Sequence, residues 1–358
     1  MALRVAINGF GRIGRCFLRA AWHEPEIDVV AINDLGTLEA LAYLLKYDSV
    51  YRQFPAEVRA GEGELVVGAK HIKVFAQKEP GQLPWKDLNI DVVVESTGFF
   101  TEFAKARAHI EAGARRVVIS APAKDGASDA GAPAGATVLM GVNQDKLAGV
   151  QVTSNASCTT NAASPLIAIL DAAIGIDKAL LSTTHGYTAS QSLVDGPSKK
   201  DLKEGRAAAQ NIVPTSTGAA IAVTQAYPQL AGRFDGISLR VPVPAGSIAD
   251  ITFIAKRDTT AEEVNKILTD AAGQAQWQGI FTVTTDPIVS SDIIGSTYGS
   301  VADLSMTRVI GNLVKVLAWY DNEMGYTHTL VRHVKAAGTT VSGGEAIGNG
   351  PNKGNNGL

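Results

Sequence analysis

The chain has 358 residues, which is more than one ordinary hydrophobic core holds and enough for two domains. Its net charge of -3, with 32 basic and 35 acidic residues spread along the length, argues against a dedicated nucleic-acid or membrane partner. The two cysteines, Cys16 and Cys158, are too few and too far apart for a disulfide framework, and no metal site is expected.

Residues 1–150 alternate short apolar runs with helical patterns. The runs are rich in Val and Ile and bounded by turn residues, which predicts buried strands at 3–7, 28–33, 91–96 and 116–120. Apolar residues at helical spacing predict the intervening helices at 11–22, 37–46 and 102–112. This alternation predicts a mostly parallel, doubly wound α/β sheet. Residues 127–136 contain only Gly, Ala, Ser, Asp and Pro and are predicted to be a surface loop.

The pattern changes after residue 158. A helix at about 160–174 and a strand at 179–185 are predicted, followed by a long polar segment at 188–210. Later apolar runs are longer and alternate, which predicts strands at 237–243, 248–256 and 313–320. Because few helical patterns separate them, we expect a mainly antiparallel sheet in an α+β domain.

This organisation predicts two domains and a tail. Residues 1–157 would form a nucleotide-binding domain completed by a C-terminal helix at about 322–337, and residues 158–321 a catalytic domain. Residues 338–358 are rich in Gly and Asn and are expected to be disordered. No basic leader or long apolar run is visible, so the expected location is the cytoplasm.

The segment from Asn8 to Gly14 lies between the first predicted strand and the first predicted helix. Gly9, Gly11 and Gly14 follow the spacing G-x-G-x-x-G, in which glycines let the backbone turn tightly and approach a pyrophosphate at the helix N-terminus. Asp34 ends the second strand 20 residues after Gly14, where a carboxylate binds the adenosine ribose and repels a 2′-phosphate. These residues predict an NAD site, and the alternative is a tight strand–helix turn followed by an acidic helix cap.

Cys158 and His185 are the candidates for covalent catalysis. Cys158 stands at a predicted strand-to-helix junction, where the helix dipole favours a thiolate and backbone amides could hold an oxyanion. His185 ends the next strand, so both side chains would reach one sheet edge and the imidazole could take the thiol proton. On spacing alone either residue could be structural. Cys16 lies within the first helix beside Phe17 and is expected to be a core residue.

Together these segments resemble the phosphorylating glyceraldehyde-3-phosphate dehydrogenases over residues 2–337. The matching strings are RVAINGFGRIGR, LLKYDSV, SNASCTTN, VDGPS, STGAA, LRVPVP and WYDNE. The most specific is SNASCTTN at its distance from the NGFGRIGR start. The resemblance implies a Rossmann-like domain that binds NAD, an α+β catalytic domain, and a homotetramer in which the segment 188–210 lies at a subunit interface.

The resemblance also implies the chemistry. Cys158 would attack the aldehyde of glyceraldehyde 3-phosphate with His185 as base, oxidation by NAD would leave a thioester, and inorganic phosphate would release 1,3-bisphosphoglycerate. This chemistry needs two anion sites made of hydroxyl, amide and guanidinium donors. The family pattern assigns the substrate phosphate to Thr188 and Arg240, and the attacking phosphate to Ser157, Thr159, Thr217 and Gly218.

For NAD, the resemblance carries over a set of residues near the first turn and before the last helix: Asn8, Gly9, Gly11, Arg12, Ile13, Asp34, Thr97, Gly98, Ser120 and Asn322. Asn322 would hold the nicotinamide carboxamide and so fix which face of the ring meets the substrate. Leu35 and Pro197 favour NAD over NADP.

The chain departs from the family pattern at a few positions. Arg52 stands where Gly is typical, Ala162 where many relatives have a second cysteine, Ile221 where Lys is usual and Met324 where Trp is usual. None of these changes removes a group assigned to the chemistry, although Ile221 alters the surroundings of the expected phosphate site.

Two other functions stay open. Erythrose-4-phosphate dehydrogenase is a related enzyme that hydrolyses its thioester, and the string TSTGAA at 215–220 argues against it because its Thr-Gly pair resembles the phosphate-binding version. A non-catalytic binding protein on the same fold would not need a nucleophile, a base, a phosphate-binding arginine and a ribose-binding carboxylate together.

Overall fold

The computed structural model describes residues 2–124, 135–198 and 201–342, and two large sheets dominate it. The strands before residue 155 are β1 (Leu3–Asn8), β2 (Ile27–Asn33), β3 (Tyr47–Asp48), β4 (Arg52–Gln53), β5 (Val58–Ala60), β6 (Glu64–Val67), β7 (Lys70–Phe75), β8 (Val92–Glu95), β9 (Arg116–Ile119), β10 (Ala136–Thr137) and β11 (Val152–Ser154). The later strands are β12 (Ile176–Gly186), β13 (Val213–Ser216), β14 (Phe234–Val241), β15 (Ser247–Ala255), β16 (Phe281–Thr284), β17 (Ser300–Asp303), β18 (Arg308–Ile310) and β19 (Leu313–Tyr320).

Eight α-helices connect these strands within the described residues. They are α1 (Arg12–Ala21), α2 (Leu38–Lys46), α3 (Phe103–Ala106), α4 (Ala108–Glu111), α5 (Cys158–Ile174), α6 (Ala219–Ala226), α7 (Ala261–Ala272) and α8 (Met324–Ser342). No helix in the ranges that the structure describes is long and apolar enough to span a membrane.

The first sheet is the doubly wound sheet that the sequence predicts. Its order is β10-β11-β9-β8-β1-β2-β7-β6-β5, and all pairs from β10 to β7 are parallel. Side chains of α1, α2 and α8 pack on one face, while α3 and α4 cover the other. Because β1 lies between β2 and β8, the strand order reverses there and leaves a crevice at the carboxyl end of β1, where such sheets bind their ligands.

The second sheet is mainly antiparallel, which confirms the predicted α+β class. Its order is β13-β14-β12-β15-β19-β17-β16, with β18 added beside β19. Two of its pairs, β12 with β14 and β16 with β17, are parallel. Helices α5, α6 and α7 cover this sheet and share one core with β12, β15 and β19.

The structure differs from the sequence-based expectations in several elements. The helix expected at 102–112 is two short helices, α3 and α4. Several strands were not predicted, among them β5, β6, β7, β13, β16 and β17, and neither were helices α6 and α7. Thr260 caps α7 by accepting from Glu263 N, a local signal that could have revealed this helix. Most of the expected surface loop at 127–136 lies outside the described residues.

The last helix runs five residues beyond its predicted end, so the prediction of a tail from residue 338 was wrong for its first residues. α8 continues to Ser342, and residues 343–358 lie outside the described ranges. Gly338, which suggests a helix end in the sequence, instead lets α8 approach Leu3, because any side chain there would collide with the Leu3 side chain. Tertiary packing has overridden the local preference of glycine.

Candidate active site

A cavity of about 680 Å³ opens where the carboxyl end of β1 faces the second sheet. Nine of its lining residues are among those named from the sequence: Arg12, Ile13, Ser120, Ser157, Cys158, His185, Thr188, Arg240 and Asn322. The first turn, the nucleophile and the expected carboxamide site therefore share one space. No group of three or more His, Cys, Asp or Glu side chains that could hold a metal ion is found in the ranges that the structure describes.

The three glycines of the first turn have different structural roles. Gly9 has a φ of 93°, and a Cβ there would lie 2.6 Å from Thr97 N. A Cβ on Gly14 would collide with Gly9 O, so this glycine lets α1 pack closely on β1. A Cβ added to Gly11 would have no neighbouring heavy atom of the described residues within 4 Å. The fold itself requires Gly9 and Gly14, whereas Gly11 keeps an approach open.

The turn fits a dinucleotide. Gly11 is the N-cap of α1 and no side chain caps it, so the first amides of the helix are free for an anion. Asp34 is half-buried at the end of β2 and accepts from Phe10 N at 2.7 Å and from Gly36 N at 2.8 Å. Its oxygens have lone pairs left for two ribose hydroxyls. The open space before Gly11 is where a pyrophosphate would approach the helix.

Asn8, a member of the predicted cofactor set, already has its side chain bonded within the protein. Its side chain is buried and donates to Glu95 Oε2 at 2.6 Å, while Asn33 Nδ2 donates to Asn8 Oδ1 at 2.7 Å. Glu95 is held in turn by His109 at 3.0 Å, and Trp85 Nε1 donates to the other ring nitrogen of His109. The Asn8 side chain thus supports the turn from beneath and is not available to a ligand.

Thr97 and Gly98 flank the first turn without lining the cavity. The amide and hydroxyl of Thr97 both donate to Glu95 Oε1, at 2.9 and 2.5 Å. Gly98 has a φ of 76° and is exposed. The buried carboxylate of Glu95, which sequence reasoning missed, therefore holds Thr97 and Asn8 together beneath Gly9.

Arg12 and Asn322 both line the cavity. The Arg12 guanidinium bonds to Asp48 and Glu323, and these partners raise its pKa above the usual range although burial opposes them. Asn322 Oδ1 accepts from Gly246 N and Ser247 Oγ, both at 3.0 Å. Since these bonds occupy Oδ1, the Nδ2 group is the part of Asn322 that a carboxamide oxygen could meet. Ile13 and Ser120 complete this wall.

Cys158 is the first residue of α5. Ser157 caps the helix by accepting from Thr160 N, and Cys158 Sγ lies 3.3 Å from His185 Nε2. Burial raises the pKa of the Cys158 thiol, although the charge of Arg240 and hydrogen bonds from Thr159 oppose this effect. Because burial opposes the thiolate that the helix N-terminus favours, a neighbouring base would help to remove the thiol proton.

His185 is suited to that task because it is neutral. Burial, and next the positive charge of Arg240, lower its pKa to about 3. Its Nδ1 lies 2.6 Å from Gly186 O and 2.5 Å from Arg240 Nη1. A carbonyl oxygen only accepts and a guanidinium only donates, so Nδ1 can satisfy just one of them. Only the tautomer that donates to Gly186 leaves Nε2 free to accept the Cys158 proton.

Tyr320 was not expected from the sequence, yet it lies beneath the Cys158–His185 pair. Its hydroxyl is 2.8 Å from Thr159 Oγ1 and 2.7 Å from Thr183 Oγ1, and its ring meets the His185 ring edge to face. Tyr320 thereby links α5, β12 and β19. No local signal marks this residue, because its partners are distant in the chain.

The expected phosphate residues fall into two groups. Ser157, Thr188 and Arg240 line the cavity, and Arg240 lies directly across from His185 in the parallel pairing of β12 with β14. Thr159 is buried and its hydroxyl is bonded to Tyr320. Thr217 and Gly218, before α6, do not line the cavity. Gln191, missed from the sequence, accepts from Thr188 N at 3.3 Å and lines the cavity.

The doubly wound sheet with a glycine turn after β1 is the architecture of dinucleotide-binding proteins, and a thiol beside an imidazole in the adjoining cavity is typical of those dehydrogenases that use a covalent intermediate. Comparison with known families is more specific. The model of the glyceraldehyde 3-phosphate dehydrogenase NAD binding domain matches residues 3–103, and the model of the C-terminal domain of the same enzyme matches residues 157–322.

Curated relatives agree with both models. Glyceraldehyde-3-phosphate dehydrogenase 1 of Streptomyces avermitilis is 47% identical over 344 residues, covering 95% of this chain and 100% of the relative. The glyceraldehyde-3-phosphate dehydrogenase of Clostridium acetobutylicum is 48% identical and covers 92% of this chain and 96% of the relative, and that of Mycobacterium avium is 48% identical with 95% and 100% coverage. The chain belongs to the glyceraldehyde-3-phosphate dehydrogenase family.

Proposed function

We propose that this protein is a phosphorylating glyceraldehyde-3-phosphate dehydrogenase, which converts D-glyceraldehyde 3-phosphate, NAD and inorganic phosphate into 1,3-bisphosphoglycerate and NADH. The observation that carries the proposal is the 3.3 Å contact between Cys158 Sγ and His185 Nε2 in the cavity beside the glycine turn. A thiol within reach of a neutral imidazole is the arrangement that covalent catalysis requires. The family of the chain supplies the substrate class.

The first step in this proposal is thiol activation. His185 Nε2 takes the Cys158 proton, and the sulfur attacks the aldehyde carbon to give a hemithioacetal. The backbone amide of Cys158, at the first turn of α5, would donate to the aldehyde oxygen as it gains charge, and the helix N-terminus would add a positive potential. His185 returns its proton to this oxygen as the hemithioacetal forms, and its neutral Nε2 then takes the hydroxyl proton back as the carbon is oxidised.

The cofactor completes the oxidation. When bound, NAD accepts the hydride from the carbon attached to sulfur, and a thioester remains on Cys158. Asn322 Nδ2 would hold the carboxamide of the nicotinamide, while Gly11, Ile13 and Asp34 would hold the pyrophosphate and ribose. The Asp34 carboxylate would repel a 2′-phosphate, so we expect NAD to be preferred over NADP.

The proposed reaction needs two anion sites, one for the phosphate group of the substrate and one for the attacking phosphate. Thr188 and Arg240 line the cavity and are proposed to hold the substrate phosphate. The attacking phosphate is assigned to Ser157 and Thr159 at the start of α5 together with Thr217 and Gly218 before α6. Support is strongest for Ser157, which lines the cavity, and weakest for Thr217 and Gly218, which do not.

The same proposal includes a homotetramer and two domains per subunit. Three apolar residues of the segment 188–210 are strongly exposed: Leu193 (81%), Val194 (73%) and Leu202 (86%). Covering them in a subunit interface would stabilise the assembly. Residues 1–157 with α8 form the cores on the two faces of the first sheet, and the core of the second sheet comes mostly from residues 158–321, which supports the proposed division. Both cysteines are free thiols, and a cytoplasmic location would keep Cys158 reduced.

The test is NADH formation from glyceraldehyde 3-phosphate and NAD, measured with and without inorganic phosphate. We expect sustained turnover only with phosphate, because phosphate releases the thioester. Turnover that ignores phosphate, with erythrose 4-phosphate preferred, would identify the hydrolysing relative instead. A folded protein that binds NAD without turning over either aldehyde would be a non-catalytic member of the family.

A further inference from the structure

The turn that carries Cys158 is conformationally strained. Ala156 has a φ of 54°, a left-handed conformation that residues with a Cβ rarely adopt, and it is completely buried. The turn contains no glycine between the end of β11 and the start of α5. Surrounding contacts must therefore impose the conformation that places Cys158 at the first position of the helix.

Asn155 transmits those contacts to the turn. Its backbone amide donates to Ile119 O at 2.9 Å, and its carbonyl accepts from Asn161 Nδ2 at 2.8 Å. Its side-chain amide donates to Thr329 Oγ1 at 3.2 Å, and its Oδ1 lies 3.1 Å from His333 Nδ1. The buried side chain is thus fixed by two residues of α8, a helix that follows the second sheet in the chain.

The hydrogen-bond directions in this cluster are consistent with one another. Thr329 donates its hydroxyl proton to Tyr326 O at 2.7 Å, so it must accept from the Asn155 amide. Asn155 Oδ1 therefore faces His333, and His333 Nδ1 must carry the proton that it donates. The Thr153 hydroxyl lies 2.9 Å from His333 Nε2 and 3.4 Å from Val117 O, and the shorter contact, to a ring nitrogen that can only accept, takes its proton. His333 is completely buried, and burial lowers its pKa to about 3, so it stays neutral.

We propose that His333, oriented by Thr153, is a positioning residue for the nucleophile: its Nδ1–H holds Asn155, and Asn155 holds the strained Ala156 turn that sets Cys158 opposite His185. The link from Asn155 to Cys158 is short, because Asn161 Nδ2 bonds to the carbonyls of both Asn155 and Ser157. His333 touches neither Cys158 nor the cavity, so it acts only through this turn. The expected change in kcat rests on the proposed function. The expected change in the reactivity of the Cys158 thiol does not.

The first readout is the reaction of Cys158 with iodoacetamide, with mass spectrometry assigning the label to Cys158 and not to Cys16. We expect His333→Leu to slow this alkylation roughly tenfold, because a displaced thiol loses its base. His333→Asn keeps a donor where Nδ1 was and should recover most of the rate. Thr153→Val, which removes only the group that orients His333, should give a smaller decrease.

The second readout separates positioning from general destabilisation. kcat should fall in proportion to the alkylation rate, with the Kd for NAD and the KM for the aldehyde unchanged within about twofold. Thr307→Val is the matched control: Thr307 is a buried threonine whose hydroxyl donates to Asn265 Oδ1 outside the cavity. It should lower the Tm without changing the alkylation rate.

Distinct results would overturn the inference. If all three variants lose stability like the control while Cys158 reacts at the wild-type rate, the cluster is only structural. If His333→Leu does not fold, the alkylation rates of His333→Asn and Thr153→Val still show whether the cluster positions Cys158 or is only structural. A wild-type protein without dehydrogenase activity would refute the proposed function, and the alkylation rates would still report on the positioning of Cys158.

Discussion

The protein contains two strand-to-helix turns that serve one cavity, and they are built in opposite ways. The cofactor turn, from β1 to α1, has a φ of 93° at Gly9, and the nucleophile turn, from β11 to α5, has a φ of 54° at Ala156. In the first, glycine removes the conformational strain locally. In the second, alanine has no such freedom, and buried hydrogen bonds to residues of α8 hold the strained conformation in place.

The difference teaches how each turn must be recognised. A turn made by glycines can be recognised in the sequence, because glycine is the residue that readily adopts the positive φ such a turn requires. A turn imposed by tertiary contacts has no such local mark, and only the chemical character of Cys158 draws attention to it. The comparison also predicts that substitutions act differently at the two turns.

The largest expected effect is at the nucleophile. Cys158→Ser should lower kcat by about a thousandfold or more, since the hydroxyl is a much weaker nucleophile and a poorer leaving group. NAD binding at the other turn should be retained, which titration of cofactor fluorescence quenching would measure. Cys16→Ser, in the core of α1, is the control and should affect stability but not the chemistry. Normal turnover in Cys158→Ser would place the nucleophile elsewhere.

The cofactor turn should respond in two ways to the same small side chain. Gly9→Ala forces a Cβ to within 2.6 Å of Thr97 N and should lower the free energy of unfolding by about 3 kcal/mol. Gly11→Ala meets no atom of the described residues and should change stability by less than about 1 kcal/mol. It should weaken NAD binding roughly tenfold, as measured by isothermal titration calorimetry. Equal losses of stability would contradict the separate roles given to these glycines.

The buried histidines near the nucleophile turn predict a dependence of stability on pH. Burial lowers the pKa of both His185 and His333 to about 3, whereas an unfolded histidine titrates near pH 6.5. The unfolded state therefore binds more protons below this pH, and stability falls as the solution becomes more acidic. Each histidine should contribute about 1.4 kcal/mol per pH unit.

Urea unfolding between about pH 6 and pH 5, at constant protein concentration, measures this dependence. His333→Asn removes one of the two histidines and should have a shallower slope than the wild type. An identical slope in both proteins would mean that other groups govern acid unfolding.

The smallest effect concerns strain outside the cavity. Arg52 is exposed and has a φ of 64°, so Arg52→Gly should raise the free energy of unfolding by about 0.5 kcal/mol, because relief of strain exceeds the added entropy of the unfolded chain. Asn89, with a φ of 49°, is the matched control, since asparagine tolerates this conformation and should gain less from glycine. The difference in Tm between Arg52→Gly and Asn89→Gly tests whether the backbone of Arg52 is strained.

The sequence predicted more of the fold than of the site's internal geometry. Alternating strand and helix patterns before residue 150 were sufficient for the doubly wound sheet, and the long alternating runs after residue 237 indicated the antiparallel one. The edge strand β5 and its neighbour β6 were missed because they are only three and four residues long. The end of α8 was misjudged because Gly338 packs on Leu3, a contact that no local pattern reveals.

Within the cavity, residue types and spacing identified the glycine turn, Asp34, Cys158 and His185. The supporting groups were not predictable in the same way. Asn8 matches the cofactor motif, yet its side chain lies in a buried network with Glu95. Tyr320 carries no motif that would assign it a place beneath Cys158.

The sequence by itself determined the class of fold, the family, and which side chains have chemical reactivity, because these depend on local periodicity and on residue types at fixed spacing. The tertiary structure decided which tautomer of His185 can act as a base, why Ala156 stays in its strained conformation, and which glycines serve packing. Those properties depend on partners far apart in the chain, as with Asn155 and His333, which are 178 residues apart. Hydrogen-bond geometry between such residues exists only once both sheets and α8 have assembled.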